Sequence, residues 1–271
     1  FTLSYQNFKE GRRDRDFGDT ILYETKEKVN AYTSALDFIK KFGKSKLFYG
    51  LEYVYNKVNS LGKQTNLLNG ATSETSPRYP DDSNWQSLAA YVSLQSKLAA
   101  NLSLQLGLRY NHILLYANYD NPFYDFPFIE SDINTGALTG SVGFNWQASE
   151  ILGWRFNLST AFRAPNIDDV GKIFDSEPGS VVLPNPDLKP EYAYNGELGA
   201  VLKLGNKTRI DLTGYLTFLE DALVRRDYNI NGQTEIFYQG ELSNIQAIQN
   251  GGEAKIYGFE AGIEVNFTKN I

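Results

Sequence analysis

Two stretches of this chain carry side chains able to hold a ligand. The first reads Tyr116-Ala117-Asn118-Tyr119-Asp120-Asn121-Pro122-Phe123-Tyr124-Asp125-Phe126-Pro127-Phe128. Connecting segments are normally polar, so this density of rings is unusual. Tyr116, Tyr119, Phe123, Tyr124 and Phe126 either wall a ligand site or pack on one another and stiffen the segment. The second stretch holds Asp168, Asp169, Asp175 and Glu177. Carboxylate oxygens are hard ligands for Ca²⁺, but the spacing follows no EF-hand loop. Solvated loop charge is the competing reading.

Catalytic chemistry finds less support. The 271 residues include no Cys, which excludes disulfides, thiolate metal sites and thiol catalysis. A single histidine, His112, leaves no multi-histidine metal site within the chain. Carboxylates are plentiful, yet nothing in the sequence brings a pair together, and no nucleophile motif appears. No catalytic residue, metal or cofactor is assigned. A net charge of −6 and a pI near 5.0 speak against a nucleic-acid partner.

The elements that would position these residues are strands. Leu102, Leu104, Leu106, Leu108 and Tyr110 alternate with Ser103, Gln105, Gly107, Arg109 and Asn111. A period of two means a β-strand with unlike faces. About ten such strands follow from the pattern. They are expected near 1–8, 28–40, 46–55, 85–95, 102–111, 138–146, 154–163, 194–204, 209–219 and 255–267. In the third, Leu47, Tyr49, Leu51, Tyr53 and Tyr55 oppose Glu52 and Asn56. No apolar run approaches the roughly 18 residues of a spanning helix. A mean hydropathy of −0.38 fits a soluble protein and a membrane barrel alike, because half of each barrel strand is polar.

The connections separate those two classes. Short turns are expected at 42–45, 99–101, 147–153 and 205–207, and long loops at 9–27, 57–84, 117–136, 164–192 and 220–253. Short and long alternate from end to end. That is the pattern of an antiparallel transmembrane meander with tight turns at one rim and large loops at the other. The strands reach the roughly nine to eleven residues a tilted strand needs to cross hydrocarbon. Leucines then face lipid, and Arg109 faces the lumen. His112 falls on the Leu108–Tyr110 side. Trp85, Trp146, Trp154, Phe162, Tyr110 and Phe267 sit near strand ends, where rings form interfacial girdles or simply follow strand propensity. Within 220–253, Ala222–Arg226 and Thr234–Gln239 are expected to pair around an Asn-Gly turn, outside the membrane.

Two proline-rich boxes sharpen the class. Ala161-Phe162-Arg163-Ala164-Pro165-Asn166-Ile167-Asp168-Asp169 ends one strand. Pro184-Asn185-Pro186-Asp187-Leu188-Lys189-Pro190-Glu191 enters the next, which carries Glu197. Prolines lack a donor and fix φ, so they end strands and stiffen loops, while Asn suits turns. Arg163 faces the lumen by parity, as does Glu197, and Glu191 does too if its strand extends upward, so an Arg163–Glu ion pair across adjacent strands is open. The boxes either anchor loops or touch a ligand directly, Arg163 being the candidate contact. Near the far end comes Asn250-Gly251-Gly252-Glu253-Ala254-Lys255-Ile256-Tyr257-Gly258-Phe259-Glu260.

These three segments, in this order, resemble the C-terminal barrel signature of TonB-dependent outer-membrane receptors. The resemblance covers the whole chain in its strands and the second half in its motifs. It implies an all-β fold: an antiparallel up-and-down transmembrane β-barrel, partial, with about ten of about 22 strands. Residues 1–271 then form one barrel piece with short periplasmic turns and long extracellular loops. The N-terminal plug and the remaining strands would lie elsewhere in a longer protein. The implied location is the outer membrane of a Gram-negative bacterium. Implied partners are TonB, acting through the plug, outer-membrane lipid and lipopolysaccharide, an imported solute and a surface lipoprotein. The aromatic loop would suit an iron–siderophore, with haem, cobalamin or a glycan as alternatives. The histidine that some haem receptors carry between the boxes is missing between Arg163 and Asn185. A passive porin-like channel is the competing membrane reading. A soluble β module or enzyme is the competing reading from another class, and the lipid-facing strands 47–55 and 102–110 speak against it. The piece alone, with two open edges, is expected to aggregate.

Overall fold

The computed structural model describes residues 1–266, apart from Asn121, Tyr124, Asp125 and Asn206 and the side chain of Ser176. Phe267 and the turn expected at 268–270 therefore lie outside the described residues.

Ten long strands form one antiparallel wall. In chain order, the strands are β1 (Thr2–Asp14), β2 (Ile21–Phe42), β3 (Ser45–Asn66), β4 (Thr72–Thr75), β5 (Ser83–Ala99), β6 (Leu102–Asn118), β7 (Glu130–Gln147) and β8 (Leu152–Arg163). A one-turn helix α1 (Ile167–Gly171) follows. Then come β9 (Phe174–Glu177), β10 (Ser180–Val182), β11 (Glu191–Leu204), β12 (Thr208–Glu220), β13 (Leu223–Asp227), β14 (Glu235–Tyr238), β15 (Glu241–Asn250) and β16 (Ala254–Val265). The wall runs β1-β2-β3-β5-β6-β7-β8-β11-β12-β16, each strand beside its predecessor, with β4 paired to β3. It is open, with edges at β1 and β16. The ten strands expected from the sequence are these ten.

Tight turns join β2 to β3, β5 to β6, β7 to β8 and β11 to β12, so all four fall on one rim. At the first, Phe42 pairs with Ser45, leaving a two-residue turn whose Gly43 has a φ of 54°. That left-handed conformation suits glycine. On the outward face apolar side chains meet in ladders. Leu51, Ala90, Tyr110 and Leu138 are successive register partners from β3 to β7. Trp146 and Trp154 oppose each other at the tight-turn rim, and Phe162 and Tyr192 meet at 5.7 Å toward the other.

The strands run further than the alternation of apolar residues suggests. β2 and β3 each have 22 residues, so they extend about 70 Å at ~3.3 Å per residue. An outward apolar band is only about 25 Å tall. The expected loops at 9–27 and 57–84 are therefore largely strand. Beyond the band the outward faces of β2 and β3 turn polar, but the backbone ladder continues, because pairing satisfies N–H and C=O groups in water as well as in lipid.

Two expectations are corrected. Ala222–Arg226 does not pair with Thr234–Gln239. Instead β13 and β14 both pair with β15, and the Asn-Gly turn closes only the Ile230–Gln233 bridge. Loop residues here have a third segment available, and its ladder wins. These strands, with β9 and β10, form a second sheet off the wall. Trp85 is also not a lipid-facing girdle residue. It pairs with Leu115 on the inward face and packs against a buried apolar cluster. Strand-end position alone could not separate the two faces.

Candidate ligand site

Along β6 the inward face changes character. Its lower part is polar. Arg109 Nη2 donates to Glu52 Oε1 at 2.7 Å, Arg109 also donates to Asn111 Oδ1, and Asn111 donates to Ser87 Oγ at 2.9 Å. Tyr91, the register partner of Arg109, bonds Asp37 through its hydroxyl. Two residues above Asn111 the same face becomes apolar. Ile113, Leu115, Ala117 and Tyr119 are all buried. Leu115, Ala117 and Tyr119 meet Val58, Ile133, Ile167, Val170 and Leu188, so the long loops fold over the inward side of the wall and share a core with it.

The two boxes hold this loop tier together. Asn166 caps α1, its side chain accepting from Asp169 N while Asp169 accepts from Asn166 N. Such reciprocal capping satisfies helix-end donors that would otherwise be orphaned. Asp169 also takes a two-pronged bond from Arg163 Nη2, at 2.7 and 2.9 Å. Arg163 reaches Glu191 Oε1 at 3.4 Å across its register pair, and Glu191 Oε2 accepts from Leu223 N. The open ion pair is thus with Glu191. Glu197 instead accepts from Asn195. Asn185 links three segments: its N–H reaches Val170 O, its side chain donates to Ile248 O, and its Oδ1 accepts from Asp187 N. Lys189 N donates to Asn250 Oδ1, Pro186 O accepts from Ser131, Leu188 enters the core, and Pro165 is fully buried. Ala164 and Pro190 are partly buried beside them, and Phe162 faces outward against Tyr192.

In the third segment, Gly258 has a plain reason. A Cβ there would lie 2.5 Å from the Tyr215 hydroxyl, whose ring crosses its partner strand. Glu260 is exposed on edge strand β16.

The aromatic loop divides. Tyr119 is 4% exposed and donates to Val170 O at 2.9 Å. Its ring meets Phe126 and Phe128 edge-on, and those two stack at 5.3 Å. Burial pushes the Tyr119 hydroxyl pKa far up. Tyr116 is on the outward face of β6, with the parity of Leu108. His112 shares that face, with Nδ1 3.3 Å from the Tyr110 hydroxyl. Tyr124 lies outside the described residues. Phe123 is half-buried. With Tyr79, Tyr119, Lys26, Lys63 and Asp81 it lines a cleft of about 620 Å³ between the aromatic loop and the upper parts of β2, β3 and β4. Tyr79 is an addition that the sequence reading missed. Its hydroxyl donates to Asp168 at 2.8 Å, and burial, then Asp168, raises its pKa to about 12.

The acidic stretch is taken apart by its neighbours. Asp168 pairs with Lys172 at 3.0 Å as well as Tyr79, and Asp169 with Arg163. Among the described residues no group of three or more His, Cys, Asp and Glu is placed to hold a metal.

Comparison with known proteins decides the class. The TonB dependent receptor-like β-barrel family matches residues 1–270. The chain belongs to this family. An iron-regulated outer membrane virulence protein of Vibrio cholerae is 23% identical, over 99% of this chain and 35% of its own length. The chain thus spans about a third of that curated relative. Among solved structures, the copper transporter OprC superposes with a TM-score of 0.78 at 16% identity, covering 99% of this chain and 40% of that one. The hemophore receptor HasR of Serratia marcescens, in complex with its hemophore HasA and heme, gives 0.70 at 15% identity, covering 96% and 42%. The fold is a piece of an outer-membrane receptor barrel. The ladder of leucines and aromatics is its lipid-facing surface, and the family and neighbours are receptors and transporters rather than enzymes.

Proposed function

We propose that this receptor barrel belongs to a protein that captures a scarce, bulky, iron-bearing solute and imports it into the periplasm. The carrying observation is the cleft of about 620 Å³ at the long-loop rim, with Phe123 and Tyr79 as aromatic surfaces and charged groups of both signs, Lys26 and Lys63 beside Glu24, Glu74, Asp81 and Asp120. It opens above a polar inward wall that would face the plug contributed by the rest of the protein. TonB would act on that plug. The iron regulation in the name of the Vibrio relative supports iron as the cargo. An iron–siderophore fits better than haem, because the only histidine of the chain, His112, is on the outward face away from the cleft. Haem, cobalamin and a glycan are the alternatives, and a surface lipoprotein is a further proposed partner.

The test uses the full-length protein. Ferric siderophore titrations, followed by quenching of tryptophan fluorescence, should give binding that Phe123→Ala weakens about tenfold, equal to ~1.4 kcal/mol. Radioactive iron should enter cells only when TonB is present. Unchanged affinity in F123A would remove the cleft from the site. TonB-independent uptake with open conductance in planar bilayers would favour the porin-like reading.

A further inference from the structure

The cleft at the long-loop rim carries a net charge. Lys26 and Lys63 line it against Glu24, Glu74, Asp81 and Asp120, two cations against four carboxylates. Part of the positive charge is also answered within the wall. Arg13, Glu24, Lys63 and Glu74 are successive register partners from β1 to β4, so cation and carboxylate alternate along the row. Arg13 Nε lies 2.7 Å from Glu24 Oε1, and Lys63 Nζ lies 3.9 Å from Glu24 Oε2. Asp81 is held at the cleft by its neighbours: its Oδ1 accepts from Ser60 N at 2.9 Å and from Asn59 Nδ2 at 3.1 Å. Asp120 is exposed on the aromatic loop, next in sequence to Tyr119. Uncharged groups complete the lining. Thr72, Ser73 and Thr75 of β4 supply hydroxyls, and Tyr79 and Phe123 supply rings.

We propose, resting on the iron-solute reading above, that this cleft selects a ferric chelate without net negative charge, of the trihydroxamate class, and rejects ferric tris-catecholates. Charge balance separates the two classes. Three hydroxamates, each losing one proton, neutralise Fe³⁺. Three catechols, each losing two, leave a trianion. A cleft of one sign between low-dielectric walls focuses its field, so a trianion meets a repulsion there that a neutral chelate does not. Hydroxamate and amide carbonyls accept from hydroxyls such as those of β4. The aliphatic spacers between hydroxamates match the apolar faces of Tyr79 and Phe123, as a few placed polar groups beside apolar surface do in ligand sites generally.

Tryptophan quenching on the full-length protein tests this with two probes, ferrichrome as the neutral ferric trihydroxamate and ferric enterobactin as the trianionic tris-catecholate. At low salt the wild type should bind ferrichrome tighter by about tenfold or more. The gap should narrow as salt rises, because screening relieves only the trianion. Asp120→Lys balances the charges of the lining and should strengthen ferric enterobactin by about tenfold while ferrichrome stays within about twofold. The Asp120 side chain is exposed, so the wall should tolerate the exchange, and heat-modifiable migration on a gel would show that the variant folds. Ferric enterobactin bound as tightly as ferrichrome by the wild type would overturn the proposal and leave the iron-solute reading standing. So would equal ferric enterobactin affinity in wild type and D120K. Binding of neither probe would overturn it as well, and absence of TonB-dependent iron entry would overturn the reading beneath it.

Discussion

Arg109 and Arg163 stand on the same inward face of the wall, each paired with carboxylates, yet they live in different surroundings. Arg109 and Glu52 are both more than a third exposed, at 37% and 36%. Around Arg163, Asp169 and Glu191 are 10% and 16% exposed. The lower wall is an apolar surface outside and a wet polar surface inside. The upper tier is the reverse on its inner side: an apolar core closed by loops, with ion pairs sealed at its margin. The difference teaches that one barrel strand can serve two solvents in succession. Along β6 the change falls between Asn111 and Ile113.

The largest effect should come from placing a charge in the upper core. Leu115 is 1% exposed. Leu115→Asp should cost the tier about 3–5 kcal/mol, the order of an uncompensated buried charge. Proteolysis should then cut the loops near 119–129 and 164–190 while the wall of the full-length protein stays heat-resistant on a gel. Loss of both together would show that wall and tier fold as one unit.

The paired arginines come next. Arg163→Ala leaves two well-buried carboxylates facing each other without their cation. Because the guanidinium itself is 44% exposed, solvent screening limits the cost to about 1–2 kcal/mol. Arg163→Lys should recover only part of it, since a lysine cannot make the two-pronged contact with Asp169. Arg109→Ala should cost under ~1 kcal/mol, the range of exposed pairs. Denaturant titration of loop protection by hydrogen exchange separates these, and equal costs would erase the distinction between tiers.

How much of this was legible in the residues depends on the tier. The wall could be read because lipid outside and water inside impose strict alternation, as in Leu102–Tyr110. The tier was harder because the inward face of its strands turns from polar to apolar where the loops close over it. The signal was present: Ile113-Leu114-Leu115 breaks the alternation of polar and apolar residues where the inward face becomes apolar. Trp85 was misplaced for the same reason. The boxes were recognisable by type, and Arg163 facing a glutamate of the next strand followed from parity. That Asp169 would bind it twice, or that Asn185 would tie Val170 to Ile248, needed the loops brought together in space. Pairing of β13 and β14 with β15 rather than with each other was equally beyond local pattern, because turn chemistry names a reversal and not its partners. Of the rings in the aromatic loop, Tyr119, Phe126 and Phe128 pack on one another, and Tyr119 and Phe123 line the cleft proposed as the ligand site.

The smallest predicted effect concerns pH and belongs to the tier alone. Asp175, in β9, has its pKa raised above the usual carboxylate value, first by burial and then by the negative charge of Asp14. A carboxyl with a raised folded pKa binds its proton more tightly in the folded state. Its contribution to stability is therefore fully present below the unfolded value near 3.9 and is lost as pH rises through the folded one. At neutral pH the ionised group sits in an unfavourable field. Asp175→Asn should thus strengthen loop protection at pH 7 by a few tenths of a kcal/mol, discounted for partial exposure. The gain should vanish below about pH 4, where wild type and variant both carry a neutral side chain. Protection measured against pH by hydrogen exchange decides it. A gain that persisted in acid would mean that the asparagine acts through packing or hydrogen bonding, and that the carboxylates gathered at Asp14, Asp16, Asp175 and Glu241 do not repel one another across this margin of the tier.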